Sequence, residues 1–172
     1  FVAVGSYAEP NMTFGVFAQR FDGSGTPSGP PIELNADPEG SQVFPGIAIG
    51  PDGKTAIAWE NRLGFGTDDE RHQIVLRRFD STDLSSGSDE IFVTDVESIA
   101  ARPEVAIEPL TGDTIIGTSV DQLNLALYRV SVDEQTIENL DDRPGSYMPA
   151  LSPLGDGRLG ILFLSGAVRD VT

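Results

Sequence analysis

The sequence predicts an all-β chain built from repeated units of four short antiparallel strands. Two landmarks that recur in fixed order, and strand-like runs closed by turn residues, predict it. The first landmark ends an apolar run in arginine. It reads "VFAQRFDGSGTPSG" from Val16 to Gly29, "IVLRRFDSTDLSSG" from Ile74 to Gly87 and, less closely, "LALYRVSVDEQT" from Leu125 to Thr136. Arg20, Arg78 and Arg129 hold the same place in each copy, 58 and 51 residues apart. The second landmark carries a proline: "FPGIAIGPDGKTAIAWE" from Phe44, "RPEVAIEPLTGDTIIGTS" from Arg102 and "MPALSPLGDGRLGILFLS" from Met148. The step from arginine to proline is 25 residues (Arg20 to Pro45), 25 (Arg78 to Pro103) and 20 (Arg129 to Pro149).

A period of about 50 to 58 residues, with the length differences in loops, points to β-propeller-type repeats of four-stranded antiparallel blades. Residues 1–42 form a partial blade, with Phe1 to Ser6 matching a second strand and "PIEL" at Pro31 to Leu34 an outer one. Residues 43–101 form a whole blade, whose "GPDGK" turn at Gly50 to Lys54 has proline fixing φ and Gly53 supplying a positive φ. Its "AIAW" and "IVL" runs are continuously apolar, as strands buried on both faces are, whereas its outer "EIFV" is mixed. Residues 102–146 form the next blade: "EVAIE" (Glu104 to Glu108), the turn "PLTGD", "TIIGTS" (Thr114 to Ser119), "LNLALYRV" (Leu123 to Val130) and a weaker strand near Thr136 to Leu140. Ser131 and Glu134 have the spacing of a helix capping box, but register against the other copies favours a hairpin and edge strand. Residues 147–172 begin a further blade, Leu159 to Ser165 being its second strand. That makes about three blades in this chain, where closed propellers have at least about four. The chain is therefore expected to be part of a larger ring or assembly, its remaining blades lying on the same or another chain. The absence of an initial Met agrees with a processed product or a piece of a longer polypeptide.

Composition narrows the function. The net charge is −16, with ten arginines and a single lysine, Lys54. Nucleic acid and anionic membrane are poor partners for such a surface, which suits an extracellular, periplasmic or cell-surface setting. No apolar run here is long enough for a transmembrane helix, and the opening residues show no basic-then-apolar leader pattern. With no cysteine, disulfides, thiolate metal sites and a cysteine nucleophile are excluded. His72 is the only histidine. It stands in the polar "TDDERHQ" segment with no nucleophile-elbow pattern near it, and no catalytic residue is assigned. Asp68, Asp69 and Glu70 are the carboxylates best grouped for calcium, the one cofactor the loops could take, though the spaced Asp-x-Asp-x-Asp-Gly pattern is missing. Arg20, Arg78 and Arg129 are expected to tie one blade to the next through charge-assisted hydrogen bonds. Trp59 is expected in the core. Tyr7, Phe14 and Phe65, in or beside longer loops, are the candidate contacts for a glycan or protein partner.

The stretch "FAQRFDGSGTPSGPPIELN" and the "PDGK" turn before an apolar strand resemble the Gln-Arg-Phe-Asp repeats of large secreted bacterial proteins. The turn also resembles the blades of TolB-type periplasmic propellers. The resemblance spans nearly the whole chain through its repeats and implies architecture, not activity. The later copies depart from it: Arg77 replaces Gln19, and Val130 and Ser131 replace Phe21 and Asp22. The expected function is a non-catalytic exported or cell-surface module for binding, adhesion or assembly with protein or glycan. The alternative is a fragment of a propeller enzyme, a polysaccharide hydrolase or lyase, with catalytic residues partly in other blades.

Overall fold

A computed structural model describes residues 1–8, 13–36, 39–96, 99–121, 124–134, 136–154 and 158–165. These residues form 13 β-strands and no helix. The strands make four antiparallel sheets in which neighbours along the chain are neighbours in space. The first sheet holds β1 (Val2–Ala8), β2 (Phe14–Arg20) and β3 (Ile32–Glu33). The second holds β4 (Ser41–Ile49), β5 (Thr55–Leu63), β6 (Arg71–Phe79) and β7 (Ile91–Phe92). The third holds β8 (Ala100–Ile107), β9 (Thr114–Val120), β10 (Asn124–Val130) and β11 (Ile137–Pro144). The fourth holds β12 (Ser146–Pro153) and β13 (Leu159–Ser165). The stretch that carries a helix-like capping pair, Ser131 to Asp142, is the β10–β11 turn and strand β11, because β10 already offers a ladder for residues 137–144 to complete.

The sheets pack in chain order. β1 and β2 lie against β4; β4, β5 and β6 against β8; β8, β9 and β10 against β12. Strand alternation divides the second sheet's side chains between two cores. Ala56 and Ala58 of β5, with Ile74 and Leu76 of β6, face the third sheet and meet Val105, Ile107, Ile116 and Val130. Ile57, Trp59 and Val75 face the first sheet and meet Val16, Ala18 and Leu34. Both faces of β5 and β6 are thus covered, which is why "AIAW" and "IVL" are apolar at every position. Trp59 is 1% exposed. The outer strands β3 and β7 are only two residues long, shorter than the mixed runs around them.

The first strand of each later sheet shares one irregularity. The ladder shifts between Val43 and Gly46, between Ala101 and Glu104, and between Tyr147 and Ala150. At each shift a non-glycine residue sits in left-handed backbone, Phe44 (φ 51°), Arg102 (φ 54°) and Met148 (φ 52°), and a proline follows it. Proline has no N–H to give a ladder, so the strand bulges there instead of pairing.

Candidate functional site

Pairing register makes the repeats comparable residue by residue. Arg20, Arg78 and Arg129 stand opposite Val2, Ala56 and Ile115. Four residues further along, the equivalent positions are Ser6, Glu60 and Ser119; six further along they are Ala8, Arg62 and Asp121. In the bulged strands Phe44, Arg102 and Met148 are equivalent, and so are Gly46, Glu104 and Ala150.

Two of these positions join neighbouring sheets. The Arg102 amide donates to Glu60 Oε2 at 3.1 Å, and the Met148 amide donates to Ser119 Oγ at 3.1 Å. A left-handed non-glycine residue costs about 1–3 kcal/mol, so an acceptor waiting on the preceding sheet helps hold it. At the opposite end of the strands Arg78 makes the corresponding joint. Its Nη1 donates to the Ser131 carbonyl at 2.8 Å and its Nη2 to the Gly112 carbonyl at 2.7 Å, both in turns of the third sheet. Arg77, which replaces Gln19, reaches the other way and donates from Nη1 to the Leu34 carbonyl of the first sheet at 2.8 Å. Arg20 borders a small cleft with Thr82 and Asp83 of the second sheet. Arg129 faces Asp113 and Glu138 of its own sheet at 3.8 and 3.5 Å. The turn that would receive Arg129 by analogy includes 155–157, outside the described residues.

The joint at Glu60 is richer than its serine counterparts. Glu60 is fully buried and receives Arg62 Nε at 2.6 Å. Its Oε1 also lies 2.9 Å from His72 Nδ1, at ion-pair distance though not in the direction of a hydrogen bond. His72 Nε2 is 3.0 Å from Glu70 Oε1. His72, expected in a polar loop, belongs to β6 and pairs with Arg62 across the ladder. The Gly66 amide donates to Glu70 Oε2 at 3.1 Å, and this bond above all, aided by the charges of His72 and Arg62, holds the Glu70 carboxyl below its ordinary range. Both nitrogens of the sole histidine therefore face carboxylates.

Beside this network lies a cleft of about 450 Å³ between the second and third sheets, lined by Phe44, Pro45, Arg102, Pro103 and Glu104. The guanidinium carbons of Arg62 and Arg102 lie 5.4 and 5.2 Å from the Phe44 ring centroid, within cation–π reach. Burial raises the Glu104 carboxyl above its ordinary value.

The sequence candidates do not form one site. Phe65 is 43% exposed and lies near the same Arg62 guanidinium, 6.0 Å away. Tyr7 is on the first sheet, edge-on to Phe17 at 6.0 Å. It lines an apolar groove of about 470 Å³ with Phe17 and Pro31. Phe14 begins β2 opposite Ala8 and is half-buried. Asp68 and Asp69 point to solvent, whereas Glu70 is engaged as above. Among the described residues, no three His, Asp or Glu side chains converge as the ligands of a metal ion would. The residues sequence reasoning passed over are Glu60, Arg62, Arg102 and Glu104. For Glu60, Arg102 and Glu104 the signal is charge placed where the other repeats carry small or apolar residues; Arg62 reverses the charge of its equivalent Asp121. No protein-family model and no curated protein matches the sequence.

Proposed function

We propose that the chain is a segment of a β-propeller, its sheets serving as blades, and that it acts as a non-catalytic exported or cell-surface module presenting one end of its blades to protein or glycan partners. The observation that carries this reading is the recurrence of one sheet design: strands in sequential order, a proline bulge in the first strand of the second, third and fourth sheets, and an amide joint from the second sheet to the third and from the third to the fourth. Sheets that meet their neighbours through like contacts turn by a like angle, and such a turn closes into a ring where it has no rise along its axis. The resemblance to secreted Gln-Arg-Phe-Asp repeats supports the same reading. So does the apolar character of the outward faces of the first and fourth sheets, where Tyr7 is 67% and Leu162 74% exposed. Further blades, on the same polypeptide or on another chain, would cover both faces. A non-catalytic role agrees with His72 being held between two carboxylates, Glu60 and Glu70.

Electron microscopy of the native polypeptide, together with its intact mass, tests the architecture. The expected images are discs with a central channel; an open, extended stack of sheets would overturn the propeller. Incubation with acidic and neutral polysaccharides should give no new reducing ends, and turnover abolished by Glu104→Gln would overturn the non-catalytic role.

A further inference from the structure

We infer that the cleft between the bulged strands β4 and β8 binds a carboxylated sugar, with Arg102 taking the carboxylate and Glu104 the ring hydroxyls. The inference deepens the proposed binding role and rests on it only in taking the chain as a binding module.

Repetition separates architecture from specificity in this fold. What the second, third and fourth sheets all carry at the bulge, a left-handed residue and a proline, builds the stack. What one sheet alone carries has another use. Arg102 stands where its equivalents are Phe44 and Met148, and Glu104 stands where its equivalents are Gly46 and Ala150. Arg62, beside them, replaces Ala8 and Asp121. Two charged side chains that depart from the repeat, Arg102 and Glu104, thus line one cleft, with Arg62 stacked on its Phe44 wall.

Charge strengthens the case. The chain has 27 acidic and 11 basic residues, and several of its arginines already spend their guanidinium inside the fold, Arg77 and Arg78 on carbonyls of neighbouring sheets. Arg62 is neutralised by Glu60. Arg102 has no ion-pair partner among the described residues; its contact is the face of Phe44. Its backbone is fixed twice, by the following proline and by the bond from its amide to Glu60. A guanidinium so placed is ready for a planar, bidentate anion, and a carboxylate is the best match in shape.

The rest of the cleft selects among carboxylates. Pro45, Pro103 and the exposed edge of Phe44 give apolar walls for the C–H face of a ring, and the volume falls in the range of small-molecule sites, about 300–1,000 Å³. Glu104, two residues from Arg102 on the same strand, adds an acceptor that hydroxyl groups satisfy. An acidic peptide would bring a second carboxylate against it. A sugar acid carries one carboxylate and several hydroxyls on one ring, which fits the pair.

The test uses the full chain, with tri-galacturonate as probe and galactotriose and tetraglutamate as comparisons, followed by calorimetry. Arg102→Met and Glu104→Ala copy residues that other repeats hold in the same backbone, so the fold is preserved; Trp59 fluorescence checks this. The expected result is saturable binding of tri-galacturonate, with galactotriose at least tenfold weaker. Arg102→Met should weaken the uronide at least tenfold and Glu104→Ala severalfold. Raising salt from about 0.05 M to about 0.5 M should weaken it further, because a shorter screening length weakens an ion pair open to solvent. Equal binding of galactotriose, or unchanged uronide affinity in Arg102→Met or Glu104→Ala, would overturn the site. Tetraglutamate binding as tightly as the uronide would overturn the sugar. Failure to bind while the native polypeptide forms discs would sink this inference alone; an open stack of sheets that binds the uronide would sink the propeller alone.

Discussion

Replacing Arg78 with alanine should remove the joint between the second and third sheets at its outer end. Two hydrogen bonds are lost, to the Ser131 and Gly112 carbonyls at 2.8 and 2.7 Å. A hydrogen bond to a charged group contributes about 1.5–3 kcal/mol, and both acceptors are half-exposed, so water replaces part of each bond. The lower figure applies, giving a loss of about 3 kcal/mol for the pair. Arg78→Lys keeps the charge, but one ammonium cannot span two carbonyls as a guanidinium fork does, so about half the loss should remain. Trp59, the only tryptophan and buried against the first sheet, reports unfolding by its fluorescence. With a urea slope of about 2 kcal/mol per M, the midpoint should fall by about 1.5 M in Arg78→Ala and about half that in Arg78→Lys. Arg129→Ala is the control. Its ion pairs are long, within one sheet, and its side chain is 40% exposed, so the cost should stay below about 1 kcal/mol. Equal midpoint shifts for Arg78→Ala and Arg129→Ala would refute the idea that the repeated arginine stabilises through a cross-sheet joint.

Gly46 allows β4 to approach β8, since a Cβ there would lie 2.7 Å from the Pro103 carbonyl oxygen. Gly46→Ala should cost about 1–3 kcal/mol in the same urea assay, because the atom it meets is backbone and cannot swing aside. Gly23→Ala, with open space around it, should stay within about 0.5 kcal/mol. Asp83 accepts bonds from the Ser85 hydroxyl and amide and from the Ser81 hydroxyl, which lower its carboxyl from 3.8 to about 2. A depressed carboxyl stabilises the folded loop at every pH above the unfolded value and loses that contribution as pH falls from about 4 toward about 2. A carbon-detected NMR titration should therefore place its midpoint near 2, and a midpoint near 3.8 would show the bonds to be absent in solution.

Much of the sheet architecture was legible because turn chemistry and burial leave local marks. "GPDGK" and "PLTGD" fix two hairpins, and the unbroken apolar runs of β5 and β6 announce strands covered on both faces. The capping pair at Ser131 and Glu134 was outweighed by register, as a short polar segment beside a free ladder edge gains more from pairing than from a lone helical turn. The site was less legible. Proline was visible as a landmark, yet the left-handed backbone before it is taken by phenylalanine, arginine and methionine, residues that give no local sign of that conformation. Glu60 and His72 meet across neighbouring strands, twelve residues apart, and only the β5–β6 register places them together. Aligning the repeats position by position, rather than by their shared motifs, would have singled out Glu60, Arg102 and Glu104 as the misfits.

Most of the joints between sheets run forward along the chain, though Arg77 reaches back. Glu60 and Ser119 each reach forward to the amide of the next sheet's bulge, and Arg78 reaches forward to the next sheet's turns. The third sheet thus carries a plug on one side, Ser119, and a socket on the other, the Arg102 amide. A stretch of gene encoding one unit, copied in tandem, would insert a sheet whose plug and socket meet mates already in place, and the chain could lengthen without inventing a contact. Such growth tolerates drift in the loops, as the unequal spacings of the arginines show, and it frees a single copy to exchange a serine for Glu60 or a methionine for Arg102 while its neighbours keep the stack intact.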